Sequence, residues 1–472
     1  MDYKRLGLKC GLEIHQQLDT KHKLFCNCSA RFEDKEPVFE VKRKLRAVAG
    51  EMGKVDIAAR HEFLKDRMFR YKVYKNETCS VELDEEPPHP INREALEIAL
   101  QVAMLLNCEI PEEIHVMRKT VLDGSNTSGF QRTALVGLNG WMKTSFGKLG
   151  ITNVSLEEDA AQIIKKTKKS VIYGLNRLGI PLVEIGTSPD IHAPEDAKEV
   201  AEKIGMVLRS TEKVKRGIGT IRQDLNISIA KGARCEIKGV QKLTLLPKIV
   251  EIEVQRQKAV INSGRKVTHD VRKALLSGRT EFLRPLPGAA RMYPETDTPP
   301  IAITDRMLEK IRKSLPELIL DKQDRLVKKY KLNKEVANQI IKAGKTELFE
   351  KLAKLSYINT AVNVITRYSK QFRVPDQKLI ELFSAIKDRR IPKESLESML
   401  EKLSKGKSVK EVTAKGLPEA VSEEEIRSET KAILESNKGL TFGAYMGLLM
   451  NKFKGKADGK TIAKVLKEEL RG

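Results

Sequence analysis

Apolar and polar residues alternate through the opening segment, residues 8–18. Leu8, Cys10, Leu12 and Ile14 fall on one side, and Lys9, Gly11, Glu13, His15 and Gln17 on the other. A period of two predicts a half-buried strand. Glu13 and His15 then project from the same face. A carboxylate beside an imidazole has two readings: a solvated polar face, or a pair that binds metal or moves a proton. Strand-like alternation recurs at 151–159, 171–174, 218–229 and 234–240, and helical periodicity at 93–106 and 195–208. Pro194 just ahead of the second helix, with Glu195 and Asp196 in its first turn, suits a helix start. Short strands interrupted by helices predict an α+β fold on a mixed sheet, not a regular alternating wrap.

The texture changes at a proline-rich stretch, residues 284–300. Beyond it, 304–404 reads as successive short amphipathic helices, 405–421 as a linker with turn residues and a proline, and 422–472 as a small helical tail. The expected domains are 1–303, 304–404 and 405–472, the last combining linker and tail.

Three further strands carry carboxylates. In 154–159, Val154, Leu156 and Glu158 share one face while Ser155, Glu157 and Asp159 share the other. Glu158 thus continues an apolar face, which is costly unless a cation or proton compensates it. Asp224, Asn226 and Ser228 alternate with Leu225, Ile227 and Ile229; Glu236 and Lys238 alternate with Cys235 and Ile237. Taken singly, each strand reads as a solvated face. Joined in one sheet, they would gather acids, a histidine and a lysine on a single surface suited to Mg²⁺ and phosphate. The loop 122–130, rich in Gly and hydroxyl side chains, has backbone N–H groups that could meet an anion, or is an ordinary turn.

Composition adds direction. Lys plus Arg total 87 against 64 Asp plus Glu, a formal charge of +23. A charge-rich surface of the thermophilic kind explains many charges but not a one-sided balance. A polyanionic partner, nucleic acid first and a membrane surface second, explains both. Lys452, Lys454, Lys456, Lys460, Lys464 and Lys467 crowd the C-terminus, as a solvated helix face or a phosphate-contacting module. No apolar run approaches the ~18 residues of a membrane span, and no signal-peptide core opens the chain, so a cytoplasmic protein is expected. Six dispersed cysteines predict free thiols. Cys26-x-Cys28 has the spacing of half a zinc site, but no CxxC follows to complete it, so no zinc is expected there. Gly344-Lys345-Thr346 and Gly459-Lys460-Thr461 lack the upstream glycine of a Walker loop. No Gly-x-Ser-x-Gly nucleophile elbow is present.

The segments GLEIHQQLDTKHKLFCNC, RKTVLDGSNTSGFQRTALV, LNRLGIPLVEIGTSPDI and RPLPGAARMYPETD closely resemble the GatB/GatE family, subunits of tRNA-dependent amidotransferases, and most closely its GatE branch. The likeness runs from residue 7 to the end, where the tail resembles the family's YqeY-type domain. The resemblance implies ATP- and Mg-dependent phosphorylation of the glutamyl group of Glu-tRNA(Gln). Amidation would follow, with ammonia channelled from an asparaginase-like partner subunit, GatD. The assembly implied is a heterotetramer with two of each subunit. Residue by residue, the family's metal and kinase positions fall on Glu13, His15, Glu158, Asp224 and Glu236, with Glu157 and Glu184 as neighbours. Glu157, Glu158 and Lys238 are the expected catalytic groups. Glu184, Asn226, Asn126, Ser128 and Gln131 are expected to hold the nucleotide. Lys452, Lys454, Lys456 and Lys460 are expected to meet tRNA. An inserted domain typical of the GatE branch is missing near Asp270–Val271.

A non-catalytic tRNA-binding scaffold is the alternative function. It predicts no ATP consumption, and the acid cluster argues against it, since a pure RNA surface avoids carboxylates. A metal-dependent hydrolase acting without ATP or tRNA ranks third.

Overall fold

In a computed structural model of the chain, the described residues are 1–31, 33, 36–44, 63–121, 123–286, 292–386, 393–414, 421–453, 457 and 459–470. The chain divides into two compact units, Met1–Leu318 and Ile319–Gly472.

Sixteen strands lie in the described part of the first unit. In chain order they are β1 (Lys9–Gln17), β2 (Phe39–Arg43), β3 (Met68–Val73), β4 (Glu113–Ile114), β5 (Val116–Thr120), β6 (Phe130–Thr144), β7 (Gly147–Glu158), β8 (Gln162–Lys166), β9 (Ser170–Gly174), β10 (Pro181–Thr187), β11 (Ile221–Ser228), β12 (Cys235–Val240), β13 (Asp270–Ala274), β14 (Thr280–Pro285), β15 (Met292–Pro294) and β16 (Ile301–Ala302). Ten form one sheet in the order β14-β13-β12-β11-β1-β10-β7-β6-β5-β15. Every pairing in it is antiparallel except β12–β13. The alternating opening segment is therefore a central strand, flanked by β10 and β11.

One face of this sheet is apolar and is covered by helices. Helix Arg93–Leu105 packs on β6 and β7, helix Pro194–Ser210 on β1, and helix Leu246–Asn262 on β11. The alternating apolar side of β1 (Leu12, Ile14) meets Ala197, Val200 and Ile204 in one continuous core. Asn92 caps the first helix by accepting the Ala95 N–H. Pro194 is the first residue of the second helix, where its missing N–H costs no hydrogen bond. Helix and sheet approach closely because position 140 is glycine: a Cβ there would lie 2.4 Å from Cys108 Sγ and 2.6 Å from the Leu106 carbonyl oxygen.

A second sheet, ordered β2-β3-β9-β8, has its own small core of Phe69, Tyr71, Val73, Val171 and Tyr173. Tyr71 and Tyr173 donate their hydroxyls to the carbonyls of Gly124 and Asp123, so this sheet holds the loop that leads into β6. β16 pairs with β4.

The second unit is helical, with one apolar cluster from Leu326 to Val412 and another from Ile426 to Leu466. Two expected boundaries move. Helix Asp305–Lys313, read as the start of the helical domain, packs on helix Arg93–Leu105 within the first unit. The expected linker contains helix Val409–Thr413, closed by a Ser408–Glu411 capping box, with Val412 in the neighbouring core. Short length and a Gly-rich flank hide such a helix from periodicity. The rest of that linker, residues 415–420, lies outside the described residues. Asp270 and Val271, where the insertion was expected to be missing, are consecutive in β13. Among the described residues no helix is long and apolar enough to cross a membrane.

Candidate active site

Register turns the scattered polar residues into a band across the face of the large sheet that turns away from the three helices. Lys119 on β5 stands opposite Gln131 on β6, and Thr133 on β6 opposite Glu157 on β7. Glu184 on β10 stands opposite His15 on β1, Glu13 opposite Asp224 on β11, and Asn226 opposite Glu236 on β12. Antiparallel partners point to the same side, so the period of two in seven separate strands becomes one continuous surface.

The band holds two sets of candidate ligands. His15, Glu157 and Glu184 have ligand atoms within 4.8 Å of one another, and so do Glu13, Asp224 and Glu236. Lys119 Nζ reaches Glu157 and Glu184, each at 3.2 Å, and His15 Nε2 lies 3.2 Å from Glu184 Oε2. Thr133 Oγ1 donates to Glu157 at 3.0 Å. In the second set, Lys238 Nζ lies 3.2 Å from Asp224 and also bonds Glu236. Asn226 Nδ2 donates to Glu13 at 2.9 Å, and the Gly239 N–H to Asp224 at 2.8 Å. The face is largely closed: the side chains of His15 and Glu184 are each 12% exposed and that of Glu157 1%.

Burial and like charge compete with these cations. Burial raises Glu13, reinforced by Glu184 and Glu236. Burial and Glu184 raise Glu157. Burial also acts on Glu184, but Lys119 and His15 outweigh it and hold this carboxyl well below the usual range. At Asp224, burial is outweighed by Lys238, with help from His15 and the Gly239 N–H, and the carboxyl is lowered. His15 is raised: burial opposes its charge, but the hydrogen bond to Glu184 and the charges of Glu184 and Asp224 prevail. Lys119 is raised chiefly by Glu157. At Lys238, burial is overcome by Asp224 and Glu236, and the amine is raised.

The donor chemistry fits divalent cations. Both sets offer hard carboxylate oxygens, and His15 Nδ1 is buried with no hydrogen-bond partner among the described residues. A cation would offset the burial and the like-charge repulsion that raise Glu13 and Glu157.

The structure does not bring every expected residue here. Glu13, His15, Asp224 and Glu236 meet on the band, with Glu184, Asn226, Gln131, Glu157 and Lys238. Glu158 does not. It points to the opposite face, as its parity with Val154 and Leu156 requires, and accepts the Arg132 backbone N–H at 3.1 Å, with Arg132 Nη1 at 3.5 Å. That guanidinium is the cation a carboxylate on an apolar face demands. It also holds Glu295 at 2.8 Å, tying the segment after β15 to the sheet. Glu157, one residue earlier, takes the place expected of Glu158. The side chains of Asn126 and Ser128 bond within their own loop, Ser125 Oγ to Asn126 at 3.4 Å and Ser128 Oγ to the Phe130 carbonyl at 2.9 Å. Gln131 reaches Glu157 at 3.2 Å. Sequence reasoning missed Lys119 and Thr133. A lone lysine and a lone threonine carry no motif, and only their register shows what they face.

Of the tail lysines, Lys454 and Lys456 lie outside the described residues. Lys452 is paired with Glu429, and Lys464 with Glu423 at 2.8 Å. Lys460 has no ion-pair partner among the described residues.

The argument against a zinc site at Cys26-x-Cys28, that no second half completes it, does not hold in the folded chain. Folding brings Cys79 and Glu82 beside them, and the four ligand atoms lie within 4.8 Å of one another. The second half comes from a segment some fifty residues on, with glutamate in place of a fourth cysteine, so no CxxC spacing announced it. Buried Lys23 lies 3.2 Å from Glu82. All six cysteines are free thiols.

Comparison with known proteins bears on this arrangement. Residues 8–309 match the GatB/GatE catalytic domain, and residues 321–470 match a GatB domain. The chain is 37% identical to the E-type subunit of the glutamyl-tRNA(Gln) amidotransferase of Methanocaldococcus jannaschii over 627 aligned positions, covering 100% of this chain and 99% of the relative. Its counterpart from Archaeoglobus fulgidus is 37% identical over 617 positions, and that from Methanococcus maripaludis 36% over 625, with the same coverage. Each alignment is longer than the 472 residues of this chain, so these relatives carry residues that it lacks. With both of its units matched and its full length aligned, the chain belongs to the GatB/GatE family.

Proposed function

We propose that this chain is the tRNA-handling subunit of a glutamyl-tRNA(Gln) amidotransferase. It uses ATP and Mg²⁺ to activate the glutamyl side chain and ammonia to amidate it. The observation that supports this reading is the band itself: two three-ligand sets side by side on adjoining strands, flanked by Lys119 and Lys238. A carboxylate attacks ATP poorly because both are anions, and Mg²⁺, which the two sets would hold, would supply the charge neutralisation that this step needs.

The side chains divide the work. Lys238 faces developing negative charge on phosphate. A γ-carboxylate oxygen attacks the terminal phosphorus, ADP leaves, and an acyl phosphate remains. Ammonia then adds to the carbonyl carbon, phosphate leaves, and the nitrogen sheds a proton. The departing phosphate is the fitting acceptor, since Glu157 belongs to a set that would hold the cation. Lys119 holds Glu157 and Glu184 in place. The closed face keeps water from the acyl phosphate. Ammonia comes from an asparaginase-like partner subunit, in an assembly of two copies of each chain working in the cytoplasm.

The test is conversion of Glu-tRNA(Gln) to Gln-tRNA(Gln) by the co-purified complex, with ATP hydrolysis followed in parallel. Wild type should consume ATP only with Glu-tRNA(Gln) present, and Glu13→Gln and Glu157→Gln should each lose at least about 100-fold in rate. Full turnover by both variants, or amidation without ATP, would overturn the proposal.

A further inference from the structure

The acidic band leaves a problem for an RNA substrate. Its carboxylates repel the phosphates that flank the reacting end. Cations must hold the backbone elsewhere, within reach of Glu157.

β7, which carries Glu157, runs on directly into the β8–β9 hairpin. From Glu157 to Lys165 the chain spans under about 30 Å even fully extended. β8 is the outer strand of the second sheet, and all of its side chains are exposed. Residues 162–170 hold Lys165, Lys166, Lys168 and Lys169 and no acid. Among the described residues, none of these four ammonium groups has an ion-pair or hydrogen-bond partner. Lys165 begins a row across the sheet that continues through Ile172 and Arg70 to Lys42.

The tip is built to keep its shape. Thr167 N–H donates to the Ser170 carbonyl at 2.8 Å, and Ser170 N–H to Thr167 Oγ1 at 3.0 Å. Val171 and Tyr173 anchor the returning strand in the small core. Little backbone freedom is lost when such a turn binds.

We propose that this hairpin is a docking element for the phosphate backbone of the tRNA substrate, with Lys165, Lys166, Lys168 and Lys169 making the contacts. This rests on the amidotransferase reading above and adds a surface to it. Ile163 and Ile164 are also exposed on β8, as a protein partner would require. Four unpaired cations around one turn favour a polyanion.

The test replaces all four lysines by glutamine in the full chain, with circular dichroism confirming the fold. Binding of tRNA(Gln) is then measured between about 0.05 and 0.2 M salt. The variant should bind at least about tenfold more weakly near 0.15 M salt, with a slope of log K against log salt shallower by about two to four. Glu157→Gln should keep the wild-type slope. Unchanged affinity and slope in the lysine variant would overturn the inference and leave the amidotransferase reading standing. So would loss of the partner subunit with tRNA binding intact, which would assign the edge to a protein. A wild type that neither binds tRNA nor converts Glu-tRNA(Gln) would bring down both.

Discussion

Adjacent glutamates have opposite fates here. Glu157 faces Lys119 and the histidine; Glu158 faces Arg132 under the sheet. Glu158→Gln removes one partner of a buried ion pair, while Arg132 keeps Glu295. The variant should lose about 1–3 kcal/mol of stability in denaturant unfolding yet retain its rate per folded molecule. A catalytic defect without a stability defect would move Glu158 into the chemistry. The neighbouring position gives a pH prediction. Glu157 is raised above its ordinary value of 4.5 by burial and Glu184. An acid raised on folding contributes stability that is complete below the unfolded value and lost as pH rises through the folded one. In chelator-treated protein, wild type minus Glu157→Gln stability should therefore fall as pH rises above the ordinary value of 4.5. A flat difference would mean that the carboxyl is not raised.

At the scale of elements, the β1–β11 and β10–β7 pairings decide which side chains share a surface, and turns far apart in sequence decide which thiols do. The Cys26 and Cys28 thiols donate to Glu82, at 2.8 and 3.8 Å, and the Cys79 N–H reaches the same carboxylate at 2.7 Å. Three sulfurs and one carboxylate form a donor set that suits zinc. Zinc added to chelator-treated protein should protect all three thiols from alkylation while leaving Cys108 as reactive as before. Mass spectrometry of the alkylated cysteines reads the outcome. Equal labelling with and without zinc would mean that Lys23, 3.2 Å from Glu82, already supplies the positive charge there.

On the scale of the molecule, the two units have separate apolar clusters, the first unit from Leu8 to Ile311 and the second from Leu326 to Leu466. A chain ending at residue 318 should keep its sheet and unfold in one cooperative transition, followed by circular dichroism. Loss of sheet structure on truncation would show that the helical unit is required for it. The net charge of +23 belongs to this scale too. It does not say where a polyanion binds, because Lys452 and Lys464 are taken up by Glu429 and Glu423, whereas Lys165 and its neighbours are not.

The sequence by itself determined five of the strands, β1, β7, β9, β11 and β12, and their faces. A side-chain period of two is local, so Glu13 and His15 share a side whatever lies beside them, and Glu158 must follow Val154 and Leu156. Long motifs determined the family, and the helices at 93–106 and 195–208 followed from their stripes. Tertiary structure alone decided which faces meet. Register is a non-local property, so nothing in β5 announced that Lys119 would bridge Glu157 and Glu184, and nothing at Cys26 announced Cys79 and Glu82. The choice between Glu157 and Glu158 shows both halves of the division. Alternation had already placed them on opposite faces, but only the folded sheet revealed that the acids gather on one and Arg132 waits on the other.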